Sequence, residues 1–420
     1  MSKLRTLVES LSVAASNSDP KDDLTMSGIA VLLAAALRLA DSSSNSRDQQ
    51  LLADAWLLNA RVLSTQGRPE ETITVLRRIV ERFGRSSDTA LQERVARALF
   101  LQGIALRSLG RQEEEIAAYD ETIRLLTESA TLAVQQTAAK ALVNKGIRLR
   151  TSERYDEALQ ASDAVIQRFA GSADPTLQET VARSLTNKAV ALRRTGHYEE
   201  AIVASDEAAR LFVDSSIPAL RRQAALALLY KGVTLRSLKR ADEAIAVYDE
   251  IVRRFADFSS PPLQEVAAMA LVNKAGLMAN TGREGEAIAS YDEVVRRFGE
   301  SPAPPLEEPV ARALTNKAST LGDLGLQNAA IDACDEVLRH FTESTKRSVQ
   351  KDVAAALLYK ATSLAALGRT DEALTQLDDL LRRFGDSDES LTKEAVARAR
   401  KLKAKLSAGN SNAVGKGDEP

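Results

Sequence analysis

Cysteine occurs once in the 420 residues, at Cys334, and histidine twice, at His197 and His340. One cysteine excludes an internal disulfide framework and points to a reducing compartment. Two isolated histidines and one thiol provide no set at metal-ligand spacing, and no phosphate-binding loop is present. No metal, no cofactor and no catalytic activity are therefore expected. Aromatic residues make up only 4% of the chain, and no apolar run reaches the length of a membrane span. The best candidate, Gly28–Leu37 within Leu24–Ala40, falls short of roughly 18 residues and carries Arg38. It also begins too far from Lys3 and Arg5 for a secretory signal. An excess of positive charge is missing too: 56 Lys and Arg face 58 Asp and Glu, which argues against a nucleic-acid partner. The expectation is a soluble, cytoplasmic chain with neither nucleic acid nor membrane as its target.

What the sequence does contain is repetition. Phe169, Phe212, Phe255, Phe298, Phe341 and Phe384 follow one another at intervals of 43 residues, and Phe83 lies on the same comb. A strict period of this size indicates stacked supersecondary units rather than one globular core. Within residues 177–219, Val181, Leu185, Ala189 and Leu192 share one face of a 3.6-residue period and define a first helix. Thr176 and Glu179 form a candidate capping box at its start. It stops at a glycine: Gly67, Gly110, Gly196, Gly282, Gly325 and Gly368 lie on the same 43-residue comb. The second helix opens with acids (Glu199 and Glu200) and closes with bases (Arg253 and Arg254), as the helix dipole favours. Eight such units are expected over residues 48–390. A degenerate helical cap over 1–47 precedes them, a Lys/Arg-rich capping helix over 391–406 follows, and a disordered tail occupies 407–420.

The unit resembles the tetratricopeptide repeat. Ala189 stands at the family's close-packing small site, where Gly103, Gly146 and Gly232 occur in other units. Leu192, Gly196, Tyr198 and Ala201 match the large apolar, turn, aromatic and helix-crossing positions. Departures are Leu185 in place of the family's Trp, retained only at Trp56, and Lys188 in place of Leu; the unit is also longer than the common repeat of roughly 34 residues. The resemblance implies an all-α, right-handed superhelical solenoid of stacked helical hairpins. It also implies a non-catalytic scaffold or adaptor that holds a peptide or helix in a concave groove.

Four polar rows bear on that groove. Lys145, Lys188, Lys231, Lys274, Lys317 and Lys360 recur on the first helices, and Asp120, Asp163, Asp206, Asp249, Asp292, Asp335 and Asp378 on the second. These are read as interhelical ion pairs. Asn144, Asn187, Asn273 and Asn316, exchanged for Tyr230 and Tyr359, occupy a site that faces the groove in the family. The family's clamp for a C-terminal carboxylate is absent, since the neighbours it needs are Thr186 and Val190 here. Arg107, Arg150, Arg193 and Arg236 form a third row near the ends of first helices, and Arg97, Lys140 and Arg183 a partial fourth. Helix-end electrostatics would account for the third row. However, the same position is Ala279, Gly322 and Ala365 in later repeats, which share the dipole. Beside this row run Ile104, Ile147, Val190 and Val233. An acidic, partly apolar peptide or helix in repeats two to five is therefore the expected partner, bound by a monomer or weak homo-oligomer. A self-associating assembly protein and a peptide-sensing regulator are the alternatives.

Overall fold

A computed structural model describes residues 45–128, 131–256, 259–300, 303–386 and 390–414, with Thr6 and Ala35 singly. Most of the expected N-terminal cap lies outside the described residues. The described residues hold seventeen α-helices and no strand. They divide into two compact units, Met1–Ala204 and Ser205–Pro420.

The first unit contains α1 (Ser46–Thr65), α2 (Pro69–Phe83), α3 (Thr89–Ser108), α4 (Gln112–Glu128), α5 (Leu132–Thr151), α6 (Tyr155–Phe169) and α7 (Pro175–Arg194). The boundary falls inside α8 (Tyr198–Phe212). The second unit continues with α9 (Pro218–Ser237), α10 (Ala241–Phe255), α11 (Pro261–Ala279), α12 (Glu284–Phe298), α13 (Glu307–Asp323), α14 (Gln327–Phe341), α15 (Arg347–Ala366), α16 (Thr370–Phe384) and α17 (Ser390–Val414). In both units odd-numbered helices are the first members of hairpins. Successive first helices pack directly on one another, and the second helices pack against first helices.

Local chemistry explains each boundary. Asp174 caps α7, its carboxylate accepting the Leu177 N–H at 2.9 Å, and Pro175 occupies the first turn, where no N–H is needed. The cap therefore lies two residues before Thr176, and the expected box with Glu179 does not form the helix start. Asp174 also accepts the Gln136 amide at 3.1 Å, tying α7 to α5. The turn glycines have φ between 70° and 84°, the left-handed region that a helix C-terminus requires. Glu153 and Lys239 hold that same conformation at φ 60° and 59°. Six of the eight second helices then open under a turn arginine, the exceptions being His197 and Leu326: Arg154 clamps Glu157 at 2.7 Å, and Arg240 clamps Glu243 at 2.6 Å.

The phenylalanine comb is buried throughout, from Phe83 (4% exposed) to Phe384 (9%). Small residues admit the larger aromatics beside it. A Cβ added at Gly103 would stand 2.4 Å from the Tyr119 ring, and one at Gly232 equally close to Tyr248. Cys334 is fully buried, and that burial pushes its thiol up to about 12, as a packing residue rather than a nucleophile requires. The closing helix α17 runs to Val414, beyond the expected stop at 406, passing through Gly409 with no proline to interrupt it.

Candidate interaction surface

In the first unit the first helices α1, α3, α5 and α7 form one layer of neighbours. Residues ten apart on one helix therefore project at two levels of that layer: Arg97 and Arg107 on α3, Lys140 and Arg150 on α5, Arg183 and Arg193 on α7. A cavity of 530 Å³ opens across α1, α3 and α5. Leu57, Phe100 and Leu101 supply apolar wall, and Arg94, Arg97, Lys140, Asp54 and Glu93 supply charge. Arg94 is taken by Asp54 through two contacts of 2.9 and 2.7 Å. Arg97 and Lys140 form no ion pair among the described residues. The cavity thus lies along the partial fourth row rather than the third.

The third row is used unevenly. Arg107 donates to the fully buried Glu115 at 2.7 Å and to the Tyr119 hydroxyl at 3.1 Å. Arg148 donates to the other oxygen of Glu115 at 2.6 Å, so two guanidinium groups share one buried carboxylate. Glu115 occupies the comb position that holds Ala158 and Ala201, a departure the periodic pattern exposes but does not interpret. Arg150 is different: its Nε is shielded from solvent and has no hydrogen-bond partner. Arg193 is half-buried at the end of α7. Burial lowers the pKa of Arg183, Glu179 opposes that shift, and the like charge of Arg107 adds to it. Cations are therefore crowded on this layer.

The apolar and amide rows are also graded. Ile104 is 38% exposed and Ile147 half-buried, whereas Val190 is 7% exposed and serves packing. Asn144 is buried and hydrogen-bonds Tyr119, while Asn187 is half-buried on α7. Arg236 and Tyr230 belong to the second unit, where Arg236 is exposed on α9 and Tyr230 is half-buried. His197 is exposed in a turn, with Nδ1 2.9 Å from the Thr195 hydroxyl, and His340 is exposed near the end of α14. No cluster of potential metal ligands occurs among the described residues, and no described helix is long and apolar enough to cross a membrane.

The ion-pair rows meet as expected, and they connect hairpins. In the first unit Lys145 reaches Asp120 at 2.5 Å. In the second unit Lys231 reaches Asp206 at 2.6 Å, Lys274 Asp249 at 2.5 Å and Lys360 Asp335 at 2.5 Å. Lys403 on α17 continues the series onto Asp378. That member was legible as the next step of the comb but reads as surface charge in a Lys-rich stretch.

Hairpins of this length, small-residue crossings and glycine turns define a helical-repeat protein built for side-by-side stacking. Tetratricopeptide repeat models match three segments of the chain, residues 57–130, 186–257 and 355–387. No curated protein matches the sequence. Among solved structures, the apo form of RapI is similar at 12% identity and TM-score 0.55, with 97% of this chain and 99% of that chain covered. The apo form of the quorum sensor NprR from B. thuringiensis is similar at 12% identity and TM-score 0.49, covering 91% and 97%. A tetratricopeptide repeat protein from Parabacteroides merdae gives 11% identity and 0.44, covering 73% and 98%. At these identities the likeness is one of fold.

Proposed function

We propose that the chain is a non-catalytic interaction module whose first unit binds an acidic, partly apolar segment of another protein. One observation carries the reading: the 530 Å³ cavity across α1, α3 and α5 sets Arg97 and Lys140 beside Leu57, Phe100 and Leu101. Three cations face two acids there, and one of those acids is already held by Arg94. An incoming carboxylate would find donors without partners, and apolar side chains would displace water from the aromatic wall. Arg107, Arg150 and Ile147 extend the surface toward the ends of α3 and α5, and Asn187 and Arg193 lie on the neighbouring α7. Of these, Arg107 is already fixed by Glu115 and the Tyr119 hydroxyl.

The test is a fluorescence-anisotropy titration with a labelled peptide alternating glutamate and leucine. The expected result is saturable binding that the paired substitution Arg97→Ala and Lys140→Ala weakens about tenfold, with the melting temperature nearly unchanged. Equal affinity of wild type and variant would overturn the assignment of this cavity.

A further inference from the structure

The second unit departs from the arginine row at Ala279, and a cavity of 320 Å³ stands there, between α11, α12 and α13. Its wall includes Ala279, Gly276, Tyr291, Asn316, Glu284 and Asp323. The same place in the second repeat is filled by the chain itself. Arg107, four repeats before Ala279, lays its guanidinium on the Tyr119 hydroxyl and on a carboxylate. Tyr291 is the counterpart of Tyr119 and is 2% exposed; its hydroxyl would lie 3.7 Å from a Cβ on Gly276, where the earlier repeat has Ile104. Asn316 hydrogen-bonds Tyr291 as Asn144 does Tyr119. The tyrosine and the asparagine are thus repeated, the arginine that fills the place is removed, and the buried Glu115 gives way to Ala287, so that the acids at this cavity are Glu284 and Asp323 instead.

We propose that this cavity receives the guanidinium of an arginine side chain from a basic segment of a partner protein. Glu284 and Asp323 form no ion pair among the described residues, whereas the nearby Glu286 is already clamped by Arg283 at 2.7 Å. Two available carboxylates, together with a buried hydroxyl that keeps a free lone pair, match a planar cation with several donors. The volume suits one long side chain at the low end of ligand pockets. The assignment is independent of the acidic-ligand reading, because it concerns the other unit and the opposite charge.

The test uses the full chain and a short fluorescein-labelled peptide alternating arginine with alanine. Its control is the same peptide with citrulline, which keeps the shape and removes the charge. The arginine peptide should bind, and the citrulline peptide should bind at least about tenfold more weakly. Ala279→Arg should supply the missing side chain from within and reduce binding by a similar factor. Glu284→Gln with Asp323→Asn provides the second variant, should Ala279→Arg fold poorly, and its binding should fall comparably. No detectable binding of the arginine peptide, equal binding of the citrulline peptide, or wild-type affinity in the folded variants would overturn the proposal.

Discussion

The Lys188 ammonium lies 2.7 Å from the Asp163 carboxylate, 25 residues earlier in the chain and on the preceding hairpin. The relation is one of register: each such pair fixes a first helix against the second helix before it. Both side chains remain about a third exposed, 32% and 39%. Solvent screening therefore limits the pair, and Lys188→Ala should cost less than about 1 kcal/mol in urea denaturation. A loss above about 3 kcal/mol would show a desolvated pair instead.

Much of this architecture is legible in the sequence because period and burial coincide. Phe169, Gly196 and Lys188 recur at one spacing, so their neighbours in space follow from arithmetic. What departs from the period is harder to read. Glu115 sits at an alanine position, and nothing local announces that Arg107 and Arg148 converge on it. The cavity beside Arg97 and Lys140 depends on how three helices splay, which side-chain periodicity along one helix does not encode.

Glu115 provides a second prediction. Its carboxylate is fully buried, with Arg107 and Arg148 on separate oxygens. Glu115→Ala restores the residue type of the later repeats yet leaves two partly buried cations without their shared acid. The substitution should destabilise the chain by about 3 kcal/mol or more, read as a lower urea midpoint. Near-neutral behaviour would mean that the alanine core repacks around the arginines.

A third prediction concerns the turns. Glu153 and Lys239 adopt φ near +60°, where the other repeats place glycine. Glu153→Gly and Lys239→Gly should each raise stability by roughly 1 kcal/mol, by relieving the Cβ clash of the left-handed conformation. Thermal melting that shows both variants less stable would contradict the strain argument.

Asp352 gives a pH dependence. Burial pushes its carboxyl from 3.8 up to about 6, opposed by Arg312 and Lys351 and reinforced by Glu308. Between those values the folded chain binds more protons than the unfolded chain, so stability falls as pH rises through the window. Above about 6 the full penalty is present, roughly 3 kcal/mol. One carboxylate oxygen, Oδ2, is buried without a partner. Asp352→Asn should therefore be more stable than wild type at pH 7 and little different at pH 4. The opposite ranking at pH 7 would contradict the assignment.

The claim that the first unit presents a basic, partly apolar receptor face is tested most directly by matched peptides against the full chain. One alternates glutamate with leucine, and the other replaces every glutamate by glutamine, each titrated at low and at near-molar salt. The account predicts that the acidic peptide binds more tightly at low salt and loses that advantage when salt screens the partly exposed contacts. Equal binding of the two peptides at low salt, or an acidic-peptide affinity indifferent to salt, would contradict it.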